Sequence, residues 1–167
     1  MHYILLKIKE NNYRLLSVIL LLLSTMSIAS ALFFEYGLGH KPCILCTYQR
    51  VPFYIIILCS IAAYLLRRKF FLYLIVASFL CGFMIASYHV GVEHKYFDAP
   101  ASCTSHEIPD SVTTAEQMRK YLETEETPSC DKPTYLIGHI SMAELNALFC
   151  LIMGIGVFYC LRKNIRE

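Results

Sequence analysis

Four long apolar runs set the pattern of this chain, parted by short charged connectors and one long polar stretch. The first run, 15–34, carries no charge and is long enough to cross roughly 30 Å of hydrocarbon as a helix. Lys7, Lys9 and Arg14 precede it. The second, 47–66, is short unless its helix begins near Cys43 and holds Gln49 and Arg50 at the interface. Pro52 within it lacks a backbone donor and crowds the carbonyl of Tyr48, which predicts a bend just under the surface. The third, 70–92, closes in Tyr88-His89-Val90-Gly91-Val92-Glu93, and the fourth, 142–161, holds a single charge, Glu144. The pattern predicts an all-α membrane protein: one domain, 1–167, built as a four-transmembrane-helix bundle with outer loops at 35–46 and 93–141.

The connectors differ in kind. Arg67, Arg68 and Lys69 alone separate runs two and three, so these spans form a tight hairpin. From Glu93 to Ser141 the chain carries nine acidic and four basic residues, punctuated by Pro100, Pro109, Pro128 and Pro133. This is the only water-facing loop of any size that the pattern allows. Within it Thr113-Thr114-Ala115-Glu116-Gln117 reads as a capping box that opens a short helix to about Glu126. Val112, Ala115, Met118 and Leu122 give that helix a modest apolar stripe suited to the membrane surface. Ala29-Ser30-Ala31 resembles a signal-peptide cleavage site, but the run is long for a signal peptide and three more follow it.

Composition agrees with the pattern. The 167 residues are 56% hydrophobic and 17% charged, with a mean hydropathy of +0.48. A soluble domain of this size leaves too much of its area in water to hide so much apolar surface. A formal net charge of +2 excludes any strong case for nucleic acid. The placement of charge says more than its sum. Nine of the 15 Lys and Arg residues lie at the N-terminus, in the second-to-third connector or at the C-terminus, which four spans put on one side. The positive-inside rule makes that side cytoplasmic, so both termini are expected there and both outer loops across the membrane.

Eight cysteines are many for such a chain. Cys59, Cys81, Cys150 and Cys160 fall within apolar runs and read as small buried hydrophobes. Cys43, Cys46, Cys103 and Cys130 fall in the outer segments. The pair Cys103 and Cys130 can brace its loop as a structural disulfide, worth roughly 3.5 kcal/mol on a chain-entropy account. Two dithiol pairs on one face can also exchange, a thiolate of one attacking a sulfur of the other. Arg50 lies four residues beyond Cys46 and shares its helical face, where a cation and the helix N-terminus favour a thiolate. Snorkelling to headgroups is the plain reading of Arg50. A ligand beside Cys46 is the other: an amphiphilic electron acceptor such as a quinone suits a membrane site next to a reactive sulfur.

The motif Lys-Pro-Cys-x-Leu-Cys-x-x-Gln-Arg-x-Pro-Phe over residues 41–53 is followed by Tyr-His-x-Gly-Val-Glu at the end of the third run. Together with the separated Cys103 and Cys130, these resemble the DsbB family of disulfide-bond formation proteins. The likeness extends from about residue 15 to 160 and takes in Gly138 to Leu148 before and within the fourth run. It implies a bacterial inner-membrane, quinone-dependent protein thiol oxidase whose partner is a periplasmic, thioredoxin-fold DsbA-like protein. On that resemblance Cys103 is attacked by the partner, Cys130 then attacks Cys43, and Cys46 is left as a thiolate beside Arg50 to reduce ubiquinone or menaquinone. Gln49 occupies a family position near the ring, and His89, Glu93 and Met142 are further candidates for the same site. His89 and Glu93, four apart on one face, can equally pair with each other. The chain departs from the family in having no Trp, its 12 Tyr residues supplying the aromatic belt instead, and in a loop short beside some members.

Two alternatives stay open at this point. A paralogue that oxidises one dedicated partner has the same motifs. A structural Zn(Cys)4 clamp joining the outer loops uses the same four cysteines, though it leaves a cation beside a metal site unexplained.

Overall fold

The computed structural model describes residues 2–100, 114–117, 119, 129–130, 135–137 and 139–166. Its first helix, α1 (His2–Leu32), is rich in Leu, Ile, Ala and Ser, and passes directly into a wider π-helical turn, Phe33–Gly37. That turn keeps the chain helical through Glu35, where the polarity pattern placed loop. Gly39, at φ +71, turns the chain out of it in a left-handed conformation that glycine adopts without strain.

The second helix, α2 (Ile44–Leu66), starts three residues earlier than its apolar run, because Cys43 caps it. Cys43 is extended (φ −71, ψ 167), and its Sγ accepts the Cys46 backbone N–H at 3.3 Å. Its carbonyl accepts Thr47 N–H at 3.1 Å. The helix runs through Pro52, which is buried. Arg67, at φ 53, ends α2 with its N–H on the Ala63 carbonyl, and the extended Arg68 opens α3 (Lys69–Glu93). The hairpin between these helices is thus two residues long.

At the far end of α3 the chain folds back on itself. The N–H groups of Tyr96 and Phe97 both donate to the Gly91 carbonyl, at 2.8 and 3.2 Å. Gly91 is required here, since a Cβ would meet the Phe97 ring at 2.2 Å. Phe97 stacks on Tyr88 with centroids 5.7 Å apart.

In the outer segment Ala115, Glu116, Gln117 and Arg119 are helical and Thr114 N–H donates to Gln117 Oε1 at 3.3 Å, the reciprocal half of a capping box. Of the anticipated apolar stripe only Ala115 is described, and it is exposed; Val112, Met118 and Leu122 lie outside the described residues. One element departs from the all-α reading. Strands β1 (Tyr135–Ile137) and β2 (Ile140–Ser141) pair antiparallel. At three and two residues they are too short to leave a period of their own in the sequence. The hairpin delivers the chain to α4 (Met142–Arg166).

Ser141 and Glu144 form a second capping box at the start of α4. Ser141 N–H donates to Glu144 Oε2 at 2.9 Å, and Glu144 N–H donates to Ser141 Oγ at 3.1 Å. Such a cap contributes about 1 kcal/mol and fixes the register in which α4 begins.

Among the described residues, four segments are long and apolar enough to span a membrane: Tyr13–Gly37, Ile44–Leu66, Lys69–Glu93 and Met142–Lys163. Packing is strongest between chain neighbours, α1 with α2, α2 with α3, and α3 with α4. The core holds Leu20, Phe53, Ile56, Leu72, Ile75, Phe79 and Val157, with Phe149 stacked on Phe53 and edge-on to Phe79. Gly82 brings three helices together: a Cβ there would lie 3.1 Å from Cys150 Sγ and 3.4 Å from Pro52 Cβ. Leu22, Met26, Leu58, Leu80, Met84, Ile152 and Ile155 point outward, which lipid tolerates and water would not. This is a multi-pass membrane protein. Cys59 and Cys150 are buried as expected of thiols in apolar runs, but Cys81 is exposed on the outward face of α3. Lipid is apolar too, so a small hydrophobe there incurs no penalty for exposure.

Candidate functional site

At the end of the bundle where α1 becomes π-helical, the ends of all four helices enclose a cavity of about 500 Å³. Ile28, Ala31, Phe34, Phe53, Leu145 and Phe149 give it apolar walls. Cys43, Cys46, Gln49, Arg50, His89, Glu93 and Met142 line it as well. Chain segments more than a hundred residues apart thus converge on one space. Apolar walls with a few convergent polar groups are the usual build of a small-molecule site.

Cys43 and Cys46 stand with their sulfurs 3.1 Å apart as free thiols. The hydrogen bond between the two sulfurs is the largest influence holding the Cys43 thiol well below its ordinary 9.0. Burial opposes it; His89 and the Cys46 backbone N–H reinforce it. The helix N-terminus therefore serves Cys43 rather than Cys46, a difference from the sequence expectation. The reason is the cap: with the helix starting at Ile44, the free N–H of Cys46 points at the sulfur of residue 43.

Arg50 is also held differently from the expectation. Its Nη1 donates to Glu35 Oε2, a carboxylate that the π-helical turn carries to the cavity mouth. Both side chains are largely withdrawn from solvent, at 15% and 22% exposure, so a lone guanidinium here would cost up to ~3 kcal/mol. The ion pair removes that penalty and leaves the remaining guanidinium N–H groups beside the cavity.

His89 is buried among three polar neighbours. Gln49 Nε2–H donates to its Nδ1 at 2.9 Å, while its Nε2 lies 3.6 Å from Cys43 Sγ and 3.9 Å from Glu93 Oε1. Gln49 Oε1 accepts in turn from Asn146 Nδ2 at 2.9 Å. Glu93 accepts the Ser141 hydroxyl at 2.6 Å, so the cap of α4 also fixes the last carboxylate of α3. The His89–Glu93 pairing and the shared site are therefore compatible, not rival, readings.

Cys130 is buried and disulfide-bonded, and packs in one apolar cluster with Cys43, Leu45 and Val92, against which Cys46 and Ala99 also lie. Cys103 lies outside the described residues. A Zn(Cys)4 clamp needs four thiolates, and a sulfur committed to a disulfide supplies none.

Glu35, Ser141, Asn146 and Cys150 were not singled out from the sequence as site residues. Ser141-x-x-Glu144 carried a legible capping signal, and Asn146 is an amide inside an apolar run. Glu35 carried none, since only the π-helical turn aims it at Arg50.

Residues 13–160 match the family model described as disulfide bond formation protein DsbB. The chain is similar to an uncharacterized protein, RP370, of Rickettsia prowazekii, at 31% identity over 162 residues, 94% of each chain. It is also similar to disulfide bond formation protein B of Acinetobacter baumannii, at 31% identity over 98 residues, 55% of this chain and 57% of the relative.

Proposed function

This chain belongs to the DsbB family of disulfide bond formation proteins, and from that premise we propose that it re-oxidises a DsbA-like periplasmic dithiol protein and passes the electrons to a membrane quinone. The observation that carries this reading is the packing of Cys130 against Cys43 and Cys46, with that dithiol opening on a lipid-depth cavity. Electrons therefore have a short path from loop to cavity.

The cavity residues fit a quinone. Phe34, Phe53, Leu145 and Phe149 suit an apolar ring and tail, while Arg50, Gln49 and His89 offer donors for ring oxygens. Bound there, a quinone supplies a two-electron, two-proton sink. The chain's residues do the rest. Cys103 receives the partner's thiolate, and the partner's second thiol completes the partner's disulfide, leaving Cys103 and Cys130 as thiols. Cys130 then attacks Cys43 of the Cys43–Cys46 disulfide, and Cys46 leaves as a thiolate facing the cavity. Cys103 next displaces Cys43 from Cys130, which restores the Cys103–Cys130 disulfide and leaves Cys43 and Cys46 reduced; re-closing Cys43–Cys46 would deliver the partner's two electrons and two protons to a quinone held there. Arg50, kept in place by Glu35, holds negative charge at the acceptor, with Gln49, His89, Glu93 and Met142 around it. The cation-rich ends face the cytoplasm of a bacterial inner membrane and the cysteines the periplasm.

The test is direct. Purified protein is incubated with a reduced thioredoxin-fold partner and ubiquinone or menaquinone, following quinone absorbance and partner thiols. Equal loss of both is expected; partner oxidation without quinone reduction would end this reading.

A further inference from the structure

Three helices are joined by a run of hydrogen bonds that all point the same way. On α4 the buried thiol of Cys150 donates to Asn146 Oδ1 at 3.6 Å. The other end of the same amide, Nδ2, donates to Gln49 Oε1 on α2, at 2.9 Å. Gln49 must then present its own NH₂ to His89 Nδ1 on α3, also at 2.9 Å. Each amide has one accepting and one donating end, so reversing any link reverses all of them. A ring nitrogen that accepts carries no proton. Neutral imidazole has one proton, which therefore sits on Nε2, the atom 3.6 Å from Cys43 Sγ.

We propose that Asn146 is a positioning residue that acts through Gln49 to hold His89 as the tautomer whose Nε2–H points at Cys43. The inference deepens the function proposed above and rests on Cys43 as a reacting sulfur. With this tautomer the ring donates to a Cys43 thiolate whenever that sulfur attacks or is released. The opposite tautomer would aim a lone pair at the sulfur. It would also complete a soft-metal trap, since the ligand atoms of Cys43, Cys46 and His89 lie within 4.8 Å of one another. Gly82 keeps the arrangement possible, because any side chain there would press on the Cys150 sulfur.

The tautomer is read directly by nitrogen-15 NMR of reduced protein carrying labelled histidine, with His89 assigned by its loss in His89→Gln. In the unaltered protein at about pH 8, where free imidazole is neutral, Nδ1 is expected without a proton and Nε2 with one. Asn146→Asp can only accept from Gln49, so Gln49 must turn its carbonyl to His89 and Nδ1 must gain a proton. The same variant should slow alkylation of Cys43 by about tenfold, the scale of a lost hydrogen bond to a charged group. Asn146→Leu frees Gln49 and should give a mixture of tautomers. A proton on Nδ1 of the unaltered protein overturns the proposal without any variant, as does a His89 spectrum that Asn146→Asp leaves unchanged. None of these readings uses quinone, so failure of quinone reduction would count against the proposed function and leave this result standing.

Discussion

The two ends of the bundle solve the same problem, polar groups beside lipid, by different means. At the end that carries the termini, cations rest on aromatic faces: Arg14 over Tyr64 at 5.3 Å, Lys69 over Tyr13 at 5.5 Å, Arg162 over Phe158 at 5.7 Å. At the other end Arg50 has a carboxylate, and Gln49, His89, Asn146, Ser141 and Glu93 bond from one helix to another. Between the ends, Ser17 and Ser78 bond only within their own helices, to the carbonyls of Tyr13 and Leu74. A cation over a ring tolerates sliding and rotation, and a serine on its own helix constrains no neighbour. Bonds between helices fix where side chains sit and which atoms carry protons. Positional precision is concentrated where sulfur chemistry is proposed.

This contrast can be broken first at the sulfurs. Cys46→Ser should reduce partner-driven quinone reduction to the uncatalysed background, with the fold intact by circular dichroism. Next comes proton control at Cys43. Because its folded-state pKa lies below the ordinary 9.0, the thiolate stabilises the reduced fold fully above that value. That stabilisation is lost as pH falls through the depressed folded-state value. Alkylation of Cys43 should accordingly persist below pH 9, at values where a denatured control has lost most of its reactivity.

A smaller effect separates the two ends. Glu35→Gln should lower stability in detergent by about 1–3 kcal/mol, because it strands a withdrawn guanidinium. Arg14→Gln should cost only about 0.5–1 kcal/mol, the worth of a cation over a ring. Equal losses would erase the contrast. In the middle of the bundle, Gly82→Ala should destabilise by about 1 kcal/mol, since the new methyl must push the Cys150 sulfur or Pro52 aside. Ser78→Ala should change stability by no more than about 0.5 kcal/mol, measured by thermal unfolding, and leave turnover unchanged.

How far each of these residues could be read in advance depends on the range of the interaction that places it. Spans and connectors rest on hydropathy summed over some twenty neighbours, so the four helices and the Arg67-Arg68 hairpin were legible without coordinates. The motif at residues 41–53 was legible for the same reason: its residues are close in sequence and share a cap and a helix face. Cys103 and Cys130 could be paired with chemistry but not with a place.

Tertiary structure alone decided what depends on direction. Whether Arg50 meets lipid or carboxylate turned on a π-helical turn that shifts Glu35 around the helix, and no local preference marked it. Whether the helix N-terminus favours Cys43 or Cys46 turned on a three-residue difference in where α2 begins. The route from Cys150 through Asn146 and Gln49 to His89 crosses three helices, each apolar enough to span lipid in many rotations about its axis. Hydropathy is indifferent to that rotation. Packing at Phe53, Phe79, Gly82 and Phe149 selects it, and with it the atoms that face Cys43.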